Sequence, residues 1–296
     1  MTVSIALLTY AHPEWLRDCL ESMDRWGRPQ VPIRVFQDAP PSPEVAVEYR
    51  ALCQEYGLPL TTLHTWGCIH GNAQQALMHS PEEWVLIVAD DNLFTPGCLQ
   101  NMLRWIEKAH ETSAGLLQVP IWHAVEAPFD FQACLRDKSR LAEVGPNPHW
   151  RGEEPLQYIA VHGSGFAVRR NLWLEVGGFT PSTWCWDEDL SAKTWFFTGY
   201  RIFQVPGPGT LHGRPGEVGC RPQPYHDYGH AVGWERGWRI GREECGKLMR
   251  LAMEESGDDG LPLSQAGPRR PYFAGQDAFP LVPSATPRFM VRGLAK

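Results

Sequence analysis

Asp90 and Asp91 follow the continuous apolar run Trp84–Ala89 (WVLIVA). Two carboxylates at the end of a buried strand repel each other unless a cation or hydrogen-bond donors stand beside them. A hard divalent cation takes such oxygens and commonly keeps phosphate as a further ligand. Asp-Asp-Asn is equally good turn and cap chemistry ahead of Pro96, so residue type alone leaves both readings open. Asp38 ends a second apolar run, where a carboxylate can accept hydrogen bonds from a nucleobase edge or a ribose, or simply lead into Pro40-Pro41. Asp187, Glu188 and Asp189 sit among Trp184, Trp186 and Trp195. Acids are favoured in a helix's first turn by the macrodipole, but a carboxylate beside aromatic surface can also take the proton of an attacking hydroxyl. His212, in Gly209-Thr210-Leu211-His212, can complete a metal site with Asp91. His226 and His230 have i, i+4 spacing around Gly229 and form a weaker metal candidate.

The elements that must position these groups alternate between strand and helix. Val3–Tyr10 reads as a strand, and Pro13 opens a helix whose Leu16, Cys19, Leu20 and Met23 make one apolar face. Ile33–Phe36 is a second strand. Ser42-Pro43-Glu44 then supplies an N-cap, a first-turn proline and a dipole-matched acid for a helix ending near Gly57. Leu60–Thr65 predicts a strand, 72–79 a short helix, Trp84–Ala89 a central strand buried on both faces, Pro96–Ala109 a helix and Gly115–Val119 a strand. Residues 123–155 read as a long functional loop. Strands follow at Leu156–Val161, 163–168 and Arg201–Val205, with helices from Arg170 to Val176 and Asp187 to Thr198. Residues 206–230 are rich in Gly, Pro and His, 234–255 form a last helix, and the Pro-rich 261–296 shows no periodicity. This alternation predicts an α/β fold with a mostly parallel central sheet flanked by helices, plus a C-terminal helical and irregular extension. In such sheets ligands bind beyond the carboxyl ends of the strands, which is where Asp38 and Asp90-Asp91 fall.

Bulk properties narrow the classes. A chain of 296 residues, 43% hydrophobic, suits one large domain with a real core. Thirteen Trp can pack that core and can also wall a sugar or base site. A formal net charge of −7 disfavours a protein built to grip nucleic acid backbone. The eight Cys are scattered without a CxxC pair, against a disulfide scaffold or structural zinc and in favour of reduced cysteines in a cytoplasmic protein. No basic region precedes the first apolar run, and no stretch approaches the ~18 apolar residues of a membrane span, so the expectation is a soluble chain without integral membrane association.

The succession VSIALLTYAHPEWLRDCLESM, IRVFQDA, HGNAQQAL and WVLIVADDNLFTPGCLQNML resembles the nucleotide-binding half of family 2-type glycosyltransferases of the GT-A fold. GSGFAVRRNLWLEVGGF, WDEDLSAKTWFFTGYRIFQVPG and the following Leu211-His212 resemble their acceptor-binding half. The likeness runs over about residues 3–212. It implies a glycosyltransferase domain over 1–212, with a nucleotide-sugar-binding half to about 120 and an acceptor half over 121–212. Residues 213–296 would supply a lid segment, a helix and the Pro-rich tail.

On that resemblance Asp38 matches the acid that contacts the donor's base, and Thr9, Asp90, Gly163, Ser164 and Gly165 fall to the donor site. Asp91 matches the last acid of the DxD motif, while Ala89 stands where many members have the first. His212 matches the late metal-shell histidine. The base is Asp187 or Asp189 depending on register, with Glu188 between them; Asp189-Leu190-Ser191 looks like the segment that follows the base, which favours Asp187. The implied reaction moves a sugar from a nucleotide-sugar, UDP-linked by preference, with Mn2+ or Mg2+. The acceptor hydroxyl attacks in line, with inversion. It could belong to a glycan, a lipid-linked sugar, a small molecule or, against the acidic charge, a modified DNA base. Gln100–Trp105 superficially resembles the QxxRW signature of processive synthases but has one residue too many and lies in the wrong place. A nucleotidyltransferase would place a Gly-rich basic loop after strand one, where Thr9–Pro13 has neither Gly nor Lys. A non-catalytic sugar-binding module is the third class.

Overall fold

A computed structural model describes residues 1–63, 68–124, 126–147, 152–179, 186–213, 242–257 and 259–271. Strands β1 (Val3–Thr9), β2 (Ile33–Gln37) and β3 (Leu60–Thr62) run parallel, joined by helices α1 (Pro13–Arg25) and α2 (Pro43–Glu55). Each helix opens on its proline, and Ser42 Oγ accepts the Val45 N–H as the cap of α2. After α3 (Cys68–Met78), β4 (Trp84–Ala89) pairs parallel with the other side of β1. Its run of buried residues is the mark of a strand covered on both faces.

The sheet then changes direction. β5 (Asn92–Phe94), α4 (Cys98–His110), β6 (Ala114–Gln118), β7 (Ile121–His123), α5 (Phe131–Arg136), β8 (Leu156–Gln157), β9 (Gly165–Arg169), α6 (Arg170–Val176), α7 (Trp186–Phe197), β10 (Arg201–Gln204), β11 (Thr210–His212) and α8 (Arg242–Ser256) complete the described elements. The main sheet has the order β3-β2-β1-β4-β9-β6-β10-β8. β9 lies antiparallel between β4 and β6, β8 is antiparallel at the edge, and the other pairings are parallel. Alternation along β1 divides the core: Ile5 and Leu7 face α1, α2 and α4 through Leu20, Tyr49 and Met102, whereas Ala6 and Leu8 face α3, α6 and α7 through Leu77, Leu172 and Trp195.

The structure departs from the sequence expectation in several places. β5, β11 and β7 form a second, three-stranded sheet that the sequence reading did not include, with His212 at the end of β11. The stretch 123–155 is not one long loop: α5 and a 3-10 turn at Lys138–Glu143 pack Phe131, Cys134 and Leu141 under Leu93 and Leu211. Elements this short span fewer than two turns and leave no readable period. The helix expected at Pro96 starts at Cys98, because β5 and a left-handed Gly97 (φ 77°) precede it. The strand expected over Leu156–Val161 is two residues long. Of the expected tail 261–296, residues 261–271 are described and join the core, with Leu263 buried and Pro262 bridged to Leu156. Cys19, Cys53, Cys98, Cys134 and Cys245 are buried and outside any disulfide, and among the described residues no helix is long and apolar enough to cross a membrane. His226, His230 and Trp184 lie outside the described residues, as does most of the proposed lid.

Candidate active site

The carboxyl ends of β1, β2 and β4 gather the first set of acids. Asp38 is buried just past β2; its N–H donates to Thr9 O at 2.9 Å and its Oδ1 accepts the Ala39 N–H at 2.8 Å. Thr9, also buried, ends β1, and its carbonyl additionally accepts from Asn72 Nδ2 on α3. Asp90 follows β4 with its N–H on Leu8 O, and the buried Tyr49 of α2 lies with its hydroxyl 3.4 Å from Asp90 Oδ2. These contacts place Asp38, Thr9 and Asp90 side by side along one sheet edge.

The second sheet supplies the next group. β11 pairs with β5 and β7 so that His212 lies opposite both Asn92 and His123. Asp91, one residue before β5, is thereby brought to His212: Oδ2 stands 3.2 Å from Nε2, with the side chains 22% and 20% exposed respectively. A half-open carboxylate–imidazole pair at that spacing suits a divalent ion that must also reach a ligand. Asn92 is buried and pins the turn, donating to Ala89 O, Ser164 O and Asp91 Oδ1.

Residues 162–165 link this pair to the acids of α7. Ser164 O accepts the Ala89 N–H, and Gly163 N–H donates to Asp187 Oδ2 at 2.7 Å. A Cβ at Gly163 would lie 2.9 Å from Trp186 Nε1 and 3.3 Å from Asp187 Oδ2, so this approach requires glycine. Burial raises the Asp187 carboxyl to about 6, against the pull of hydrogen bonds from the Glu188 and Gly163 N–H groups. Glu188 is partly exposed next to it. Asp189 takes the opposite course. It is fully buried and sits 3.1 Å from Lys193 Nζ, itself fully buried and donating to Gly178 O. Ser164 and Gly165 are buried too, the latter as the first residue of β9.

No family model and no curated protein matches the sequence. Solved structures do resemble the fold. The mannosyltransferase PcManGT from Pyrobaculum calidifontis, in complex with GDP-Man and Mn2+, is 19% identical over 88% of this chain and 65% of its own, with a TM-score of 0.53. S. aureus TarS 1-349 in complex with UDP-GlcNAc is 16% identical over 89% of this chain and 69% of its own, TM-score 0.53. GalNAc-T7 with UDP, GalNAc and Mn2+ is 14% identical over 88% and 55%, TM-score 0.56. The fold is GT-A. The chain spans 37% of the longer S. aureus TarS chain and 65% of PcManGT.

Within this GT-A fold, sequence reasoning missed three side chains at the site. His123 was hidden because it stands where a loop was expected, and only the β7–β11 register sets it beside His212. His162 directly precedes Gly163-Ser164-Gly165, so its neighbourhood was visible though its role was not. Tyr49 looks like any core aromatic on α2, and nothing in its spacing announces a contact with Asp90.

Proposed function

We propose that this chain is a metal-assisted glycosyltransferase that moves a sugar from a nucleotide-sugar, a UDP-sugar by preference, to an acceptor hydroxyl with inversion. The observation that carries it is the open Asp91–His212 pair and the Asp187 carboxylate of α7, linked to each other through Asn92 and residues 163–164. The nucleotide-sugars and Mn2+ in complex with proteins of the same fold support the reading.

In this reading Asp38 and Thr9 receive the nucleoside, and Asp90, steadied by Tyr49, meets ribose or sugar hydroxyls. Asp91 and His212 would hold a divalent cation, which supplies Lewis-acid stabilisation of the charge gathering on the departing diphosphate. Asp187 takes the proton of the acceptor hydroxyl as its oxygen attacks the anomeric carbon from the face opposite the leaving group. Gly163 N–H holds Oδ2 of that carboxylate in place. In this reading Asp189, buried against Lys193, has a structural part, steadying the lysine that donates to Gly178 O. A glycan, lipid-linked sugar or small molecule is the acceptor class in keeping with the net charge of −7.

The test is a panel of UDP-, GDP- and dTDP-sugars with Mn2+ or Mg2+, scored by thermal stabilisation and then by transfer. A UDP-sugar is expected to raise the melting temperature only with metal, and Asp91→Ala to remove that gain. Native-rate transfer by folded Asp91→Ala protein in chelator sinks the reading.

A further inference from the structure

We infer that Gln118, the last residue of β6, is a positioning residue for the proposed base: its carboxamide fixes the segment 159–163, whose last N–H holds the Asp187 carboxylate. The inference rests on the reading of Asp187 as the base. It adds to that reading a buried group that acts on the carboxylate only through backbone.

Residues 159–163 belong to neither a helix nor a strand, so side chains must hold them in place. Three side chains of α7 do so at a regular interval. Trp195 Nε1 donates to Ile159 O at 2.7 Å, Ser191 Oγ accepts the Val161 N–H at 3.0 Å, and Asp187 Oδ2 accepts the Gly163 N–H at 2.7 Å. Four helical residues advance about 6 Å and two residues of extended chain about 6.6 Å. Steps of four along α7 therefore match steps of two along the segment, which runs the opposite way. Asp187 is the last rung of this ladder. Ser191 Oγ also donates to Asp187 O at 2.7 Å, which ties the last rung to the one before it.

The residue between the last two rungs is held from the sheet instead. His162 N–H donates to Gln118 Oε1, while Gln118 Nε2 donates to Gly165 O at 2.7 Å and to Val119 O at 3.0 Å. One buried carboxamide thus brackets Gly163 and Ser164 from both ends, and its three bonds fix which end is oxygen. A methionine at 118 has nearly the same length and makes none of these bonds. The segment would then be held from α7 alone, and Gly163 N–H would be free to move off Asp187. That N–H favours the charged carboxylate, so weakening it raises the carboxyl beyond what burial already does. The titratable groups nearest this carboxyl are Glu188 on α7, whose charge raises it, and His162 on the segment itself. Asp189 is paired with Lys193.

The experiment uses the full chain with isotopically labelled glycine, titrated by NMR without donor or acceptor. The Gly163 amide resonance follows protonation of the carboxylate to which it donates, and its midpoint in the parent is expected at about pH 6. In Gln118→Met the midpoint should move up by about one unit, the scale of a weakened hydrogen bond to a charged group. The alkaline limb of turnover should move up with it, and its plateau should fall about 10- to 100-fold, as for a misplaced catalytic group. Ser191→Ala should shift midpoint and limb in the same direction, and it carries the test if Gln118→Met does not fold. A merely structural role lowers the melting temperature and leaves both where they were. Midpoint and limb unchanged in the folded variants therefore overturn the inference and leave the glycosyltransferase reading standing. A raised midpoint in variants of a parent that transfers no sugar from any donor upholds the positioning of Asp187 and takes down only the proposed reaction.

Discussion

Burial lifts the Asp187 carboxyl from its ordinary 3.8 to about 6, and that shift has two separable consequences. Between these values the folded chain holds a proton that the unfolded chain has released. Folding therefore loses stability as pH rises from about 4 to about 6, and the effect is flat above that. Asp187→Asn lacks this titration, and Asn Oδ1 can still accept the Gly163 N–H. The variant should gain stability relative to the parent across that interval and hold the gain at pH 8, as read by urea unfolding at several pH values. Catalysis has the opposite sign, because a base works only once deprotonated. The turnover number should rise with pH on a limb with an apparent pKa near 6, and Asp187→Asn should lose that limb together with about 10²- to 10⁴-fold in turnover. Asp189 gives a contrasting outcome. Removing one member of a fully buried ion pair strands the other, at a cost of about 3–5 kcal/mol. Asp189→Asn should therefore unfold much more easily in urea, while its folded fraction turns over near the parental rate. A stable but inactive Asp189→Asn protein would reverse the two assignments.

At the scale of elements, the site depends on the small sheet β5-β11-β7 holding His212 against Asp91. Gly209, just ahead of β11, is its tightest point: a Cβ there would fall 1.9 Å from Pro120 O, a backbone atom that already accepts the Thr210 N–H. No side-chain rotation relieves that overlap, so Gly209→Ala must push β11 off β7. The expected outcome is loss of metal-dependent donor stabilisation in a thermal shift assay while the main sheet persists by circular dichroism. The sequence could not announce this dependence. WVLIVA is legible as a central strand because six apolar residues have no other comfortable home, and Pro13 and Pro43 mark their helices for a local reason. β5, β7 and β11 have three residues each, too few for alternation, and the register that pairs His212 with His123 is a property of folded chains. Hence Asp38, Asp91, His212 and Asp187 are legible in the sequence as strand-end or helix-start candidates, whereas the placement of His123 and His162 beside His212 needs three dimensions.

For the whole molecule, described residues beyond β11 pack into the two main core clusters. α8 places Cys245, Met249 and Ala252 in the cluster behind α7, and 259–271 crosses back over β10 and β8. Arg269 ends that crossing on the last turn of α7. Its Nη2 donates to Thr194 O and Trp195 O, its Nε to Tyr200 O, and its guanidinium lies 4.4 Å from the Trp195 ring centroid. A helix leaves its final carbonyls without intrahelical partners, so one planar cation here caps α7 and stacks on its aromatic surface together. Arg201 and Ser113 reinforce the crossing by donating to Gly267 O. Arg269→Ala should cost on the order of 2 kcal/mol, from the lost cation–π contact and the carbonyls left to water. Arg269→Lys should recover only part of it, because an ammonium cannot span three carbonyls in one plane. The distance along α7 gives the prediction its sharper half: Arg269 meets the C-terminal turn, whereas Asp187 stands in the first. Stability and turnover should therefore separate, with Arg269→Ala unfolding earlier in denaturant but showing a parental turnover number at temperatures where it stays folded. A turnover loss comparable to that of Asp187→Asn would mean that strain at one end of α7 reaches the carboxylate at the other.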